Sequence, residues 1–456
     1  MERAPVTTTP ADSPIRILHL SDFHFSTRSQ WDADPILRAL AGFIAADAAE
    51  NALYPDLVII TGDLAQSGKR NEYALARQWL EDLWPHLTRD PATPLPSDRL
   101  LLVPGNHDVD WNLIEPGARD AHQALLAAKT QDAVTDRLKS KDTRELLFKR
   151  HAAYLRFHGD WLKQRQSLPW WQRRIRLHNQ DLHVAGLDSA WLAGGDDDSR
   201  LLLGTYQINQ TVLHPKGEGG CDWRIALLHH PWASLAEFDR NDAQRTLHRH
   251  RDLILRGHLH EPDLFRIVPA DPRRSCIEAA AGCCYSGKPY PNAFQWVELH
   301  RDPRRVLFHF RCWNQGDWQV DRNQPGCPEG THTIDLPAAA GAVRSSPHPT
   351  RKADRQVDTH LPECPEGTHT VDLPAPADGP VQMPARHDTA PVPKPSAASP
   401  DGINSGLHMH RGRCRFRDGP RQDPDRHHPG LQPGLLLRAP TGRSRPAYPT
   451  RRQRPR

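Results

Sequence analysis

The chain has no C-x-x-C pair, no long apolar run and, past Trp318, almost no large apolar side chain. Each gap excludes something. The eight cysteines are scattered at 221, 276, 283, 284, 312, 327, 364 and 414. That spacing offers neither a zinc clip nor a disulfide framework, and it implies reduced thiols in a cytoplasmic protein. No stretch approaches the ~20 apolar residues that span a bilayer, so no membrane partner is expected. Residues 1–13 form a polar leader without the apolar segment of a secretory signal. All 13 tryptophans lie at or before Trp318, and beyond it Phe416 and Tyr448 are the sole Phe and Tyr. More than half of the 43 prolines lie there too. A segment so poor in apolar bulk cannot offset its backbone entropy by burial. The compact part is therefore expected to end near residue 322, with residues 323–456 a disordered Pro/Arg-rich tail.

Charge of one sign is also scarce overall. The net charge of +4 makes no global case for nucleic-acid binding. The exception is the last stretch, from Arg411, dense in arginine and nearly free of acid. It could engage nucleic acid or an acidic partner, although a solvated tail is the plainer reading. The tail also repeats itself. C-P-E-G-T-H-T-I-D-L-P-A at 327–338 recurs as C-P-E-G-T-H-T-V-D-L-P-A at 364–375. Two copies are too few for a solenoid, and a duplicated linker peptide outweighs a metal clip built from one Cys and one His per copy.

What is present is a recurring unit. An apolar run, Ile15–Leu20, ends in Ser21-Asp22-Phe23-His24. A helix follows over 35–49, with Asp34 as N-cap and Pro35 in the first helical position. A second strand at 56–60 ends in Thr61-Gly62-Asp63, and a helix follows near 72–84. A third strand, 100–103, ends in Pro104-Gly105-Asn106-His107-Asp108. Residues 111 to about 180 read as a helical insertion. Strands return at 182–187, 224–228 and 252–255, the last two followed by His229-His230-Pro231 and Gly257-His258-Leu259-His260. Residues 293–299 and 306–313 alternate as an antiparallel hairpin. Open α/β sheets build sites in this way, at the carboxyl ends of neighbouring strands.

Two divalent ions held close together need a bridging carboxylate, neutral imidazoles and further oxygen donors. The strand ends supply all three. If the D-x-H segment is extended, alternation puts Asp22 and His24 on one side, and the same holds for His258 and His260. Glycines 62, 105 and 257 leave room where a side chain would crowd the ions. Each piece alone is commonplace, since a strand-end Asp is usually a turn or cap residue. Five pieces in this order, each after an expected strand, are not.

The motif order D-x-H, G-D, G-N-H-D, H, G-H-x-H resembles the calcineurin-like metallophosphoesterase superfamily. The likeness covers about residues 14–320, and the wording around the motifs looks like an uncharacterised bacterial branch. It implies an α/β fold whose two-sheet β-sandwich core is flanked by helices, forming one domain over 14–322. It implies that Asp22, His24 and His260 hold one ion, that Asn106, His229 and His258 hold a second, and that Asp63 bridges them. His229 is preferred to His230 because the family's ligand tends to sit two before the proline. His107 would not ligate but would face the phosphate, as a transition-state donor or an acid for the leaving oxygen. His230 and Asp108 would support from behind, Asp108 by orienting His107 or capping its turn. The implied reaction is hydrolysis of a phosphoester by a hydroxide activated by two metal ions, with manganese, iron, zinc or cobalt all compatible with the donors. The single mid-sized insertion favours a small phosphodiester. Another class of function is a silent metal-binding sensor or scaffold whose tail mediates interactions. The non-ligating His107, which a scaffold does not need, weighs against it.

Other residues are set aside. His19 is expected in the core or beside the site, and Asp110 at the surface. Asp188 reads as a turn carboxylate or a support, and Arg256 as half of a salt bridge ahead of a substrate contact. Trp170 and Trp171 read either as nucleobase stackers or as packing of the exposed insertion. Arg173, Arg174 and Arg176 are the one hint of a basic groove, and Cys283 and Cys284 are expected as core thiols.

Overall fold

The computed structural model describes residues 13–28, 30–194, 199–214, 220–285 and 292–337. The leader, the second copy of the repeated peptide and the arginine-rich end lie outside the described residues. Thirteen strands among them form two sheets. β1 (Ile15–Leu20), β2 (Leu57–Ile60) and β3 (Leu100–Leu102) are parallel neighbours in the first. β4 (Trp171–Leu177), β5 (Gln180–Gly186), β6 (Trp223–Leu227), β7 (Leu253–Arg256), β8 (Pro262–Ile267) and β9 (Cys276–Ala281) make the second, in the order β4-β5-β6-β7-β9-β8. β10 (Ala293–Arg301), β11 (Arg304–Asn314) and β12 (Asp317–Val320) complete the first, in the order β12-β11-β10-β1-β2-β3. β13 (Thr331–Asp335) also pairs with β11.

Period-two alternation explains why these strands read as nearly unbroken apolar runs: both faces are covered. Ile15, Ile17, Leu57, Ile59 and Leu101 point between the sheets, against Leu182, Val184, Ile225, Leu227 and Leu253. Their neighbours Leu18, Leu20, Val58, Ile60 and Leu102 face the other way. They meet α1 (Gln30–Glu50) and α2 (Arg70–Leu83) through Leu40, Ile44, Tyr73 and Leu80. The second sheet is covered by α3 (Pro116–Ala128), α4 (Gln131–Lys139) and α5 (Lys141–Phe148). α6 (Ala152–Leu162) packs instead over the first sheet, through Tyr154, Phe157 and Trp161. α7 (Thr205–Ile208) and α8 (Glu237–His250) complete the second sheet's outer layer. Each fully buried Leu or Ile contributes about 2 kcal/mol, so these three layers hold the strand ends in fixed register. The expected sandwich flanked by helices is present.

Four expectations change. The helical insertion ends at Leu162, and β4 follows it, paired antiparallel with β5. Trp170 and Trp171 are 4% and 9% exposed, with indole N–H groups donating to Gln210 Oε1 and the Leu102 carbonyl. Their faces are spent on packing and cannot stack on a base. The sheet also continues past residue 322. β13 lies within the first copy of the repeated peptide, and Cys327, Ile334 and Leu336 join the inter-sheet core. Helix α1 starts at Gln30 rather than Pro35.

Candidate metal centre

The carboxyl ends of β1, β2 and β3 meet those of β6 and β7, and the five motifs leave the sheets there. The local backbone is not extended. Asp22, His24, Asp63, His258 and His260 all have positive φ, between 49° and 75°. Non-glycine residues seldom adopt this left-handed region, and each costs of order 1–3 kcal/mol. Asp22 and His24 therefore share a side because both turn back, not because a strand alternates. Two close approaches explain the glycines. A Cβ on Gly105 would lie 2.2 Å from Asp63 Oδ1, and one on Gly257 2.0 Å from Ser21 Oγ and 2.7 Å from Asp22 Oδ2.

Two groups of donor atoms result. In the first, His260 Nε2 lies 3.3 Å from Asp22 Oδ1 and 3.3 Å from His24 Nε2. In the second, Asn106 Oδ1 lies 3.1 Å from both His229 Nε2 and His258 Nδ1, which are 3.3 Å apart. Asp63 stands between the groups. Its Oδ2 is 4.0 Å from His24 Nε2 and 3.3 Å from His229 Nε2, while its Oδ1 accepts the His107 backbone N–H at 2.8 Å. All eight sequence-predicted positions thus converge. The sets Asp22–His24–His260 and Asp22–Asp63–His229 each place their donors close enough to hold an ion.

The surroundings orient the rings. His229 Nδ1 meets the Thr61 carbonyl at 2.7 Å. A carbonyl only accepts, so Nδ1 carries a hydrogen and Nε2 is the nitrogen that faces the centre. His258 donates its backbone N–H to Asp22 Oδ2 at 3.1 Å, leaving Asp22 Oδ1 buried without a hydrogen-bond partner. Burial lowers His24 and His258 to about 4, so both rings are neutral near pH 7. Burial would lower His229 as well, but the Asp63 carboxylate overrides it and raises the ring to about 9. Burial works against ionised Asp63, yet His229 holds it well below the usual carboxylate range.

His107 lies against His24, ring centroids 4.8 Å apart, and with His24 and Asp63 forms a further set of donors close enough to hold an ion. It is half-buried, and its Nδ1 donates to the Gln66 carbonyl at 2.7 Å, which leaves Nε2 free. Beside it opens a cleft of about 590 Å³, lined by Ser26, Gln66, Lys69, Trp111 and Asn112 among others. Trp111 tilts against the His107 ring at 5.9 Å and donates to the Asn106 carbonyl at 3.0 Å. Neither Gln66 nor Trp111 was singled out from the sequence, although both flank motifs that were.

Asp108 does not touch the His107 ring. Its carboxylate accepts from Leu64, Ala65 and Gly105 N–H and from Tyr73 Oη, at 2.9–3.2 Å. It clamps the loop carrying Asp63 to the loop carrying Asn106. Burial, then the Asp63 charge, pushes it up to about 6. Asp110 is not at the surface: it is buried, pairs with Lys69 at 2.7 Å and caps the turn at Asn112. His230 is buried with Nδ1 2.8 Å from Ser189 Oγ, its ring packed against His229 and His258. Asp188 accepts from Ala190 N–H and lies 3.1 Å from His151. His19 is buried between Thr61 and Gln295. Arg256 pairs with Asp263 at 3.0 Å, and Cys283 and Cys284 are buried thiols. The three arginines of β4 lie on an edge strand, engaged with the Asp98 carbonyl, the Gly220 carbonyl and Asp181.

Known proteins supply the remaining comparison. A glycerophosphodiester phosphodiesterase, GpdQ, from Enterobacter lignolyticus (strain SCF1) is 35% identical over 101 residues, 20% of this chain and 29% of that protein. The match thus spans under a third of that relative's length. Yellow lupin (Lupinus luteus) purple acid phosphatase PPD1 aligns with a TM-score of 0.39 at 13% identity, over 72% of this chain and 55% of that one. Vps29 from Cryptosporidium parvum aligns with a TM-score of 0.28 at 11% identity, over 71% of this chain and 100% of that one. Residues 15–262, more than half of the chain, match the family described as calcineurin-like phosphoesterase, and the chain belongs to it.

Proposed function

We propose that the domain hydrolyses phosphodiesters with the help of two divalent metal ions. One ion would be held by Asp22, His24 and His260, the other by Asn106, His229 and His258, with Asp63 shared. The observation that carries this reading is the position of Asp63 Oδ2 between two converging donor sets, 4.0 Å from His24 Nε2 and 3.3 Å from His229 Nε2. The donor chemistry fits the ions. Four imidazole nitrogens face one another and two carboxylates, and buried Asp22 Oδ1 accepts no hydrogen bond but lies 3.3 Å from His260 Nε2. Such a set suits manganese, iron, zinc or cobalt. When bound, two such ions supply Lewis acidity: they acidify water and neutralise phosphate oxygens.

The remaining work belongs to the chain. The Thr61 carbonyl and the His258 N–H fix the His229 ring and the Asp22 carboxylate before any substrate arrives. His107 Nε2 offers a hydrogen bond to a phosphoryl oxygen, or a proton to the departing ester oxygen, when the ring is cationic. The roomy cleft next to His107 supports a diester, whose second ester group needs a place that a monoester would leave empty. The glycerophosphodiester phosphodiesterase activity for which the Enterobacter relative is named points the same way. No helix among the described residues is long and apolar enough to cross a membrane, and the six described cysteines are free thiols, which supports a reducing, cytoplasmic setting.

Hydrolysis of bis(p-nitrophenyl) phosphate against p-nitrophenyl phosphate tests the proposal. Metal-stripped protein with Mn2+ restored should favour the diester, and Asp63→Ala should abolish turnover. No release with Mn2+, Zn2+, Fe2+ or Co2+, despite two bound ions per chain, would replace the hydrolase with the metal-binding scaffold.

A further inference from the structure

Trp170 and Trp171 are enclosed, but another indole beside the site is not. Trp111 is 39% exposed and forms one wall of the cleft next to His107. An open tryptophan face forgoes the stabilisation that packing a large apolar ring supplies. Trp111 is nevertheless held in place. Its indole N–H donates to the Asn106 carbonyl at 3.0 Å, and its ring lies 5.9 Å from that of His107. It opens the short turn Trp111–Leu113, which Asp110 caps by accepting the Asn112 N–H at 2.9 Å. The free face is therefore oriented before any ligand arrives. The rest of the described lining restricts what can lie on it. Glu72 is spent on the Ser67 hydroxyl and N–H and on the Lys69 N–H, at 2.6–3.0 Å, and the Lys69 ammonium is matched by Asp110. The Arg28 guanidinium has no ion pair among the described residues. A cationic arm would thus meet an unmatched arginine and no free carboxylate there. The side-chain amides of Asn71 and Asn112 make no hydrogen bond among the described residues, and each offers donors and an acceptor. A flat, neutral ring with a polar edge fits that combination.

We propose that the cleft holds a nucleoside as one ester arm of the substrate, its base stacked on Trp111 and the base edge met by Asn71 and Asn112. The inference rests on the phosphodiester reading and names the arm. The His107 ring touches both neighbours, 4.8 Å from His24 and 5.9 Å from Trp111. A phosphate at the donor sets therefore has His107 beside it and the indole face one ring further out. That succession matches the phosphate, sugar and base of a nucleotide. A glycerol arm would leave the indole uncovered. Stacking a base on an aromatic ring strengthens binding by about 10–100-fold. Trp111 thus selects which diester is held and takes no part in breaking the bond.

The test compares the ethyl phosphodiesters of adenosine and of glycerol on the full Mn2+-loaded chain, with products separated by chromatography. The unsubstituted chain should show a KM about 10–100-fold lower for the adenosine diester. Trp111→Leu should bring the two KM values together. The readout is a ratio, so a general loss caused by freeing the Asn106 carbonyl cancels. Trp111→Phe keeps a ring but not the N–H, and should retain most of the preference. Equal KM values in the unsubstituted chain overturn the inference and leave the hydrolase standing. So does a preference that survives Trp111→Leu. A preference that Trp111→Phe loses as fully as Trp111→Leu also overturns it, because the bond to Asn106 would then be the cause. Turnover of neither diester would defeat the hydrolase instead. Calorimetric binding of AMP against glycerol phosphate to the same chains then decides the inference, by the same ratio of about 10–100-fold and its loss in Trp111→Leu.

Discussion

Asp108→Ala should be among the costliest single changes near the site, although Asp108 is no candidate ligand. Its carboxylate is 1% exposed and satisfies four donors: three backbone N–H groups and the Tyr73 hydroxyl. Truncation strands all four. At about 1 kcal/mol for each buried donor left unmet, the low end of the range, the loss reaches about 4 kcal/mol. That is a large share of the 5–15 kcal/mol typical of a whole domain. Tyr73→Phe removes one of the four donors and leaves the other three satisfied, so it should cost about 1 kcal/mol. Urea unfolding of the metal-free protein, followed by tryptophan fluorescence, measures both. The clamp also sets where Asp63 stands relative to Asn106, so Asp108→Ala should weaken metal binding by about 10–100-fold. An Asp108→Ala chain within about 1 kcal/mol of Tyr73→Phe would refute the clamp. It would mean that the loops at 63–65 and 105 hold their shape without it.

Three further outcomes are expected. His107→Ala should lower turnover by about 10²–10³-fold while the metal content per chain stays unchanged by elemental analysis; a lost ion would make His107 a ligand instead. In metal-free protein His229 holds its proton up to about 9, and an ion must displace that proton. Apparent metal affinity should therefore rise about tenfold per pH unit from 7 to 9 and then flatten. Calorimetry at pH 7 in two buffers of different ionisation enthalpy should count one proton released, and an affinity flat over that range would contradict the assignment. Asp47→Ala leaves buried Arg311 without its two-pronged partner, at 2.8 and 3.0 Å, and the Trp296 indole without its acceptor at 2.7 Å. It should cost about 3–5 kcal/mol in thermal unfolding, and a loss under about 1 kcal/mol would show that Arg311 finds solvent.

The strand ends were legible for a physical reason. Strands covered on both faces, such as β1 and β2, must be continuous apolar runs, so the first polar residues after them mark where the chain leaves the sheet. Ligand chemistry at those points follows from residue type alone. Backbone conformation does not: nothing in the letters D-F-H distinguishes an extended segment from one with Asp22 and His24 left-handed. β4 was hidden because three of its seven residues are arginines, tolerable only on an edge strand. β13 was hidden because T-H-T-I-D carries one large apolar side chain, and the partner that buries it lies elsewhere on β11. The role of Asp108 was out of reach because its donors, at 64, 65 and 73, come from a different loop and helix.

The five left-handed residues at the centre have one more consequence. Glycine adopts that conformation without a side-chain penalty, so a chain shaped by folding alone would place glycine at 22, 24, 63, 258 and 260. Aspartate and histidine stand there instead, each holding the backbone where it would rather not be. Removing the site's chemistry should therefore relax the scaffold, and an inactive glycine-substituted version should outlast the active one on heating. Durability and reactivity are set against each other at the same five α-carbons.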